Sequence, residues 1–109
     1  MTMNHLLRLC SVFPLALCVS LTACASGRAH ENFKNSVQWD VGKRLDDQSI
    51  LMNRYPEDRG ELVVLPNGNT EQQYRFRRGC IVYFEIDKAS RKIVGWRYEG
   101  TEETCVLVP

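Results

Sequence analysis

With 109 residues, 14 Lys and Arg against 13 Asp and Glu, and a formal net charge of +1, the chain has room for one domain and lacks the cationic excess of a nucleic-acid binder. Its two histidines and five cysteines leave little material for metal or nucleophile chemistry, and their positions divide it further.

Residues 1–23 contain no Asp or Glu, and Arg8 leads into an apolar run from Leu9 to Val19. A short basic start before a short apolar core is the pattern of a secretory signal. The run is interrupted by Pro14 and falls short of the roughly 20 residues a membrane-spanning helix needs. It ends in Leu21-Thr22-Ala23-Cys24, which resembles the lipobox of bacterial lipoproteins. The small Ala23 suits a narrow peptidase site, and the Cys24 thiol is a good nucleophile for alkylation. The resemblance implies cleavage between Ala23 and Cys24, with a diacylglycerol and an N-acyl chain on Cys24. Because Ala25 follows, it also implies residence at the outer membrane, facing the periplasm. Each buried methylene adds about 0.8 kcal/mol, so an anchor of two or more chains does not let go. The expected division is a signal peptide over 1–23, a lipidated N-terminus and flexible linker over 24–32, and a periplasmic domain over 33–109.

The mature chain would keep 13 basic and 13 acidic residues. Cys10 and Cys18 leave with the signal and Cys24 carries lipid, so Cys80 and Cys105 remain as a pair in an oxidising compartment and are expected to form a disulfide. A zinc or catalytic cysteine is the alternative, but tetrahedral zinc takes four ligands and His30, in the linker, is the mature chain's one histidine. No metal and no cofactor beyond the lipid on Cys24 is expected.

Phe33, Val37 and Val41 follow a four-residue step, which predicts a helix ending near Gly42, with Trp39 off its apolar stripe. Asp46 and Asp47 can cap a second helix carrying Ile50, Leu51 and Tyr55, which Pro56 ends. Beyond Pro56 the period falls to two. Glu61–Leu65 predicts a strand, Pro66-Asn67-Gly68-Asn69 a turn, and Thr70–Arg77 a second strand with Tyr74 and Phe76 on one face. Cys80–Asp87 and Lys92–Glu99 complete the set. A register with Lys88 opposite Lys92 sets Val82 against Tyr98, Phe84 against Trp96 and Ile86 against Val94, gathering the large apolar side chains on one face. The expected fold is α+β, with two short N-terminal helices on one face of a three- or four-stranded antiparallel sheet.

Gly42, Tyr55-Pro56, Leu65-Pro66-Asn67-Gly68, Tyr74, Phe76, Cys80, Phe84, Asp87, Ile93, Trp96, Gly100 and Cys105 occur in an order and spacing that resembles the small outer-membrane lipoproteins of the SmpA/OmlA (BamE-like) type, and more closely their uncharacterised relatives. The resemblance covers roughly residues 33–109. It implies a helix-helix-sheet domain in the cell envelope, supporting outer-membrane assembly or integrity.

Enzyme chemistry has little footing, since His30 reads as a solvated linker side chain, Asp46-Asp47 as caps and Glu102-Glu103 as a loop. The suggestive surface is Arg75, Arg77, Tyr83 and Arg97, on the sheet face opposite Tyr74 and Phe76, where guanidinium groups beside a phenol can hold an anionic partner. Glu71, Glu85 and Glu99 offer the same arginines ordinary cross-strand pairs. Trp39 is the candidate exposed contact residue. Two functions follow as expectations. One is a membrane-anchored, non-enzymatic interaction or scaffolding domain with an envelope protein as partner. The alternative is a periplasmic inhibitor or immunity-like protein that binds a secreted enzyme or toxin.

Overall fold

The structure, a computed structural model, describes residues 28–108; Ala23, Cys24 and the expected signal segment lie outside the described residues. Residues 28–38 are helical and form α1, on which His30, Phe33 and Val37 make one buried stripe at helical spacing. Residues 28–32, expected as linker, therefore belong to the folded domain as far as they are described, and His30 is buried rather than solvated.

The expectation of two helices fails. The second helix, α2, is a single turn, Leu51–Arg54, followed by a 3-10 turn at Pro56–Asp58. Pro56 lacks an amide hydrogen and pushes Tyr55 to φ −134°, ψ 70°, so the helix stops one turn after it begins. Asp46 and Asp47 do not cap it either. Asp46 pairs with Arg44 at 3.2 Å, and Asp47 accepts the Ser49 amide at 2.8 Å and the Ser49 hydroxyl at 2.7 Å in a turn ahead of α2. Those two bonds hold the Asp47 carboxyl below its ordinary pKa.

The first amide of α2 is satisfied from a distance, by Asp40, whose Oδ2 accepts the Leu51 N–H at 2.9 Å. Asp40 is buried, and that burial raises its pKa above the ordinary value against the opposing pull of this hydrogen bond. A raised carboxyl pKa means that the contribution of the group to stability is complete below the unfolded pKa of about 3.9 and is lost as pH climbs through the folded value. Asp40→Asn keeps an acceptor and removes the charge, so its melting temperature should gain on that of the unaltered protein as pH is raised from about 4 to about 7. Asp40→Ala, which strands the Leu51 amide, should cost about 1 to 2 kcal/mol. Melting curves of both variants across pH decide this, and parallel pH profiles for Asp40→Asn would refute it.

After Pro56 the chain builds a four-stranded antiparallel meander in the order β1-β2-β3-β4. The strands are β1 Arg59–Val64, β2 Thr70–Arg77, β3 Cys80–Ile86 and β4 Ile93–Glu99. Val82 faces Tyr98 and Phe84 faces Trp96, but a register shift after Glu85 sets Ile86 against Ile93 rather than Val94. That shift keeps Ile93 in the core and turns Val94 out to solvent.

The core lies on one face of the sheet. Tyr74, Val82, Phe84, Ile86 and Ile93 meet Ile50, Leu51 and Met52 from the α2 segment and Phe33 and Val37 from α1. Phe33 sits edge-on to Phe76, Tyr98 and Trp96, with centroids 4.9, 5.5 and 6.0 Å away. Trp96 is only partly buried, and its indole N–H donates to Gln38 at 2.9 Å.

Cys80 and Cys105 are joined by a disulfide with a Cα–Cα distance of 5.1 Å. Thr101 and Thr104 make the return possible by exchanging side chain to backbone hydrogen bonds of 2.8 and 3.1 Å. Gly100 is required there, because at φ 146° a Cβ would meet Cys105 Sγ and the Gly79 carbonyl at 2.7 Å each.

Candidate functional site

The short α2 leaves part of the sheet uncovered. A groove of about 650 Å³ lies beside α2, lined by Leu51, Tyr74 and Phe76 and by Ser36 of α1. The volume is in the range of small-ligand and peptide side-chain sites. Its other wall is the C-terminal tail Val106-Leu107-Val108, beyond the disulfide.

The tail is held by hydrogen bonds to α1 and to Arg77. The Leu107 amide donates to the Ala29 carbonyl at 3.0 Å, and Arg77 Nη1 donates to the Val106 carbonyl at 3.2 Å. His30 Nδ1 lies 2.7 Å from the Cys105 carbonyl, an oxygen that only accepts, so Nδ1 is the donor. The Tyr98 hydroxyl lies 3.4 Å from Nε2 of the same ring. His30 thus ties the first turn of α1 to the disulfide and the tail.

Polar groups stand at the rim. Arg54 lies over the Tyr55 ring at 5.9 Å from the centroid, and Asp58 closes the end near α2. The Tyr74 hydroxyl donates to the Tyr55 carbonyl at 3.1 Å, and burial pushes its pKa up to about 12, so the phenol stays neutral at physiological pH. An apolar floor with two guanidinium groups at its rim suits an extended apolar segment that carries an anionic or carbonyl-rich end.

The arginine face expected from the sequence is not one surface. A register shift between Arg75 and Arg77 rotates the end of β2, and Arg77 turns to the tail on the groove side. Arg75 and Tyr83 stay on the open face with Arg97. Arg97 is already engaged. It bonds both carboxylate oxygens of Glu71, at 2.9 and 3.2 Å, lies 3.6 Å from Glu99, and stacks on Tyr83 at 3.8 Å. Those pairs hold its charge in place and leave Arg75 as the unbalanced member of the proposed cluster. Trp39 is 74% exposed, with Lys43 Nζ 5.1 Å from its ring, and does not line the groove.

The residues that sequence reasoning missed are Arg54, Tyr55, His30 and the tail. His30 was legible in principle, since His30, Phe33 and Val37 share one helical face. Among the described residues no three His, Cys, Asp or Glu side chains gather as a metal site, and no helix is long and apolar enough to cross a membrane. Compared with known proteins, the chain matches no family model, no curated protein and no solved structure.

Proposed function

We propose that this chain is a lipid-anchored envelope protein whose small domain is a non-enzymatic interaction module, taking an apolar segment of an envelope partner into the groove beside Tyr74 and Phe76. The observation that carries this reading is the groove itself, which sets Leu51, Phe76 and the Val106-Leu107-Val108 tail beside Arg54, Asp58 and Arg77. The anchor rests on the apolar run ending in Leu21-Thr22-Ala23-Cys24. Tethering raises the effective concentration of the domain at the membrane, so a modest groove affinity suffices. Its service there is outer-membrane assembly or integrity. A concave site receives a partner's segment, which favours this role over that of an inhibitor, whose protruding surface would fill an enzyme's cleft.

The test places a photo-crosslinking amino acid at Tyr55, on the groove rim, or at Arg75, on the open face, in cells. Adducts from Tyr55 and none from Arg75, with Cys24→Ser leaving an unprocessed precursor that takes no lipid label, are the expected result. Adducts confined to Arg75, or a Cys24→Ser protein that is still processed and lipid-labelled, would overturn the proposal.

A further inference from the structure

The two edges of the sheet are treated differently by the fold. The start of β4 is covered by the segment after α1, where the Gly42 amide donates to the Ile93 carbonyl at 2.7 Å, the Ile93 amide to the Lys43 carbonyl at 2.9 Å, and Arg44 bridges to Lys92. Among the described residues the outer edge of β1 has no such cover, and all six of its residues are exposed. Leu62, Val63 and Val64 are 57%, 45% and 72% exposed, an apolar run on the regular half of a strand whose first half is bulged between Arg59 and Leu62.

From this edge we infer that β1 pairs antiparallel with β1 of a second copy of the chain, about a two-fold axis at Val63. The bulge between Arg59 and Leu62 on one side and Pro66, which has no amide hydrogen, on the other leave Leu62–Val64 as the stretch that can pair, with Val63 at its centre. Leu65 donates its amide to Asn69 at 2.8 Å, so alternation along an antiparallel ladder directs Val63 toward β2 and leaves the amides and carbonyls of Leu62 and Val64 facing outward. Those outward groups complement themselves when Leu62 of one copy lies opposite Val64 of the other and Val63 opposite Val63. Reversing the strand about Val63 returns the same pattern, as an isologous contact requires.

Side chains agree with that register on both faces. Leu62 and Val64 share the face of Gln72 and Thr70, which is the core side of the sheet, but lie beyond its cover. In the pair, Leu62 and Val64 of both copies form one apolar cluster there. Val63, which sits beside Glu71 on the open face, meets its symmetry mate. Glu61 falls opposite Leu65, so no like charges face one another. The contact spans three residues of each copy, so it forms a weak, concentration-dependent dimer that tethering at a membrane would favour.

Sedimentation of the full chain, in density-matched detergent with micelles in excess over protein, should reveal a monomer–dimer equilibrium. Val63→Lys sets two ammonium groups face to face at the axis and should raise the dissociation constant at least tenfold. Val63→Glu should do the same, and an equimolar mixture of the two variants should recover dimer through the opposite charges. Circular dichroism checks that both variants remain folded, as an exposed position allows. A chain that stays monomeric at all concentrations, a dimer indifferent to Val63→Lys, or a mixture that fails to re-pair would each overturn the inference.

Discussion

Replacing Cys80 and Cys105 together by alanine should lower the free energy of unfolding by about 3 to 3.5 kcal/mol, read from urea titrations of the oxidised protein and the double variant. The disulfide closes a loop of sequence separation 25, and the figure follows from the conformational freedom that closure removes from the unfolded chain. Both half-cystines are fully buried, so the bond is shielded from solvent and packs as part of the core. Using the double variant avoids a stranded thiol. A loss below about 1 kcal/mol would mean that the loop is already closed without the bond.

The same substitution should reach the groove. One wall is the tail beyond Cys105, held by the Leu107 amide on Ala29 and by Arg77 on Val106. Neither contact alone outweighs the entropy of ordering a chain end, since a single hydrogen bond nets about 1 kcal/mol. The disulfide is what makes these contacts local, so its removal should weaken crosslinking from Tyr55 even at temperatures where the domain remains folded. Stability and binding would then fall together, but with different temperature dependence.

The sheet was legible because its alternation is strict where one face is buried. Tyr74, Val82 and Phe84 point one way and Arg75, Tyr83 and Arg97 the other, and slipping the pairing by one residue would expose Tyr74 and Phe84. Three local departures were not legible, one of them the shift between Arg59 and Leu62 in β1. The shifts after Glu85 and after Arg75 each move one side chain to the other face, and nothing in the residue types marks them. The second of these dissolved the expected arginine cluster by sending Arg77 to the tail.

The second helix failed for a different reason. Ile50, Leu51 and Tyr55 have helical spacing, but that pattern spans little more than one turn before Pro56, and a turn so short carries no period that distinguishes a helix from a knot of buried side chains. Leu51, Arg54 and Tyr55 at that stop line the groove, and the candidate site was harder to read than the fold. Its residues come from α1, the Tyr55-Pro56 break, β2 and a tail brought back by the disulfide, and no local stretch of sequence holds them together.

Phe33→Ala should be the most damaging single substitution in the helical layer, with an expected loss of about 3 to 5 kcal/mol. Phe33 is fully buried and its ring is the centre of the contact between α1 and the sheet, edge-on to Phe76, Trp96 and Tyr98 and stacked on His30 at 5.9 Å. An isolated helix of this length is not stable in water, so α1 exists because this face is docked. Emptying the site removes the transfer energy of the ring and leaves a cavity between three aromatics that cannot collapse onto one another. For a domain of this size, with a total stability of about 5 to 10 kcal/mol, that loss brings unfolding close to the working temperature. Phe33→Leu, which refills most of the volume, should recover more than half of the loss. Urea titration followed by Trp96 fluorescence and by far-ultraviolet dichroism provides the check. A change below about 1 kcal/mol in Phe33→Ala would show that α1 is not held to the sheet by this ring.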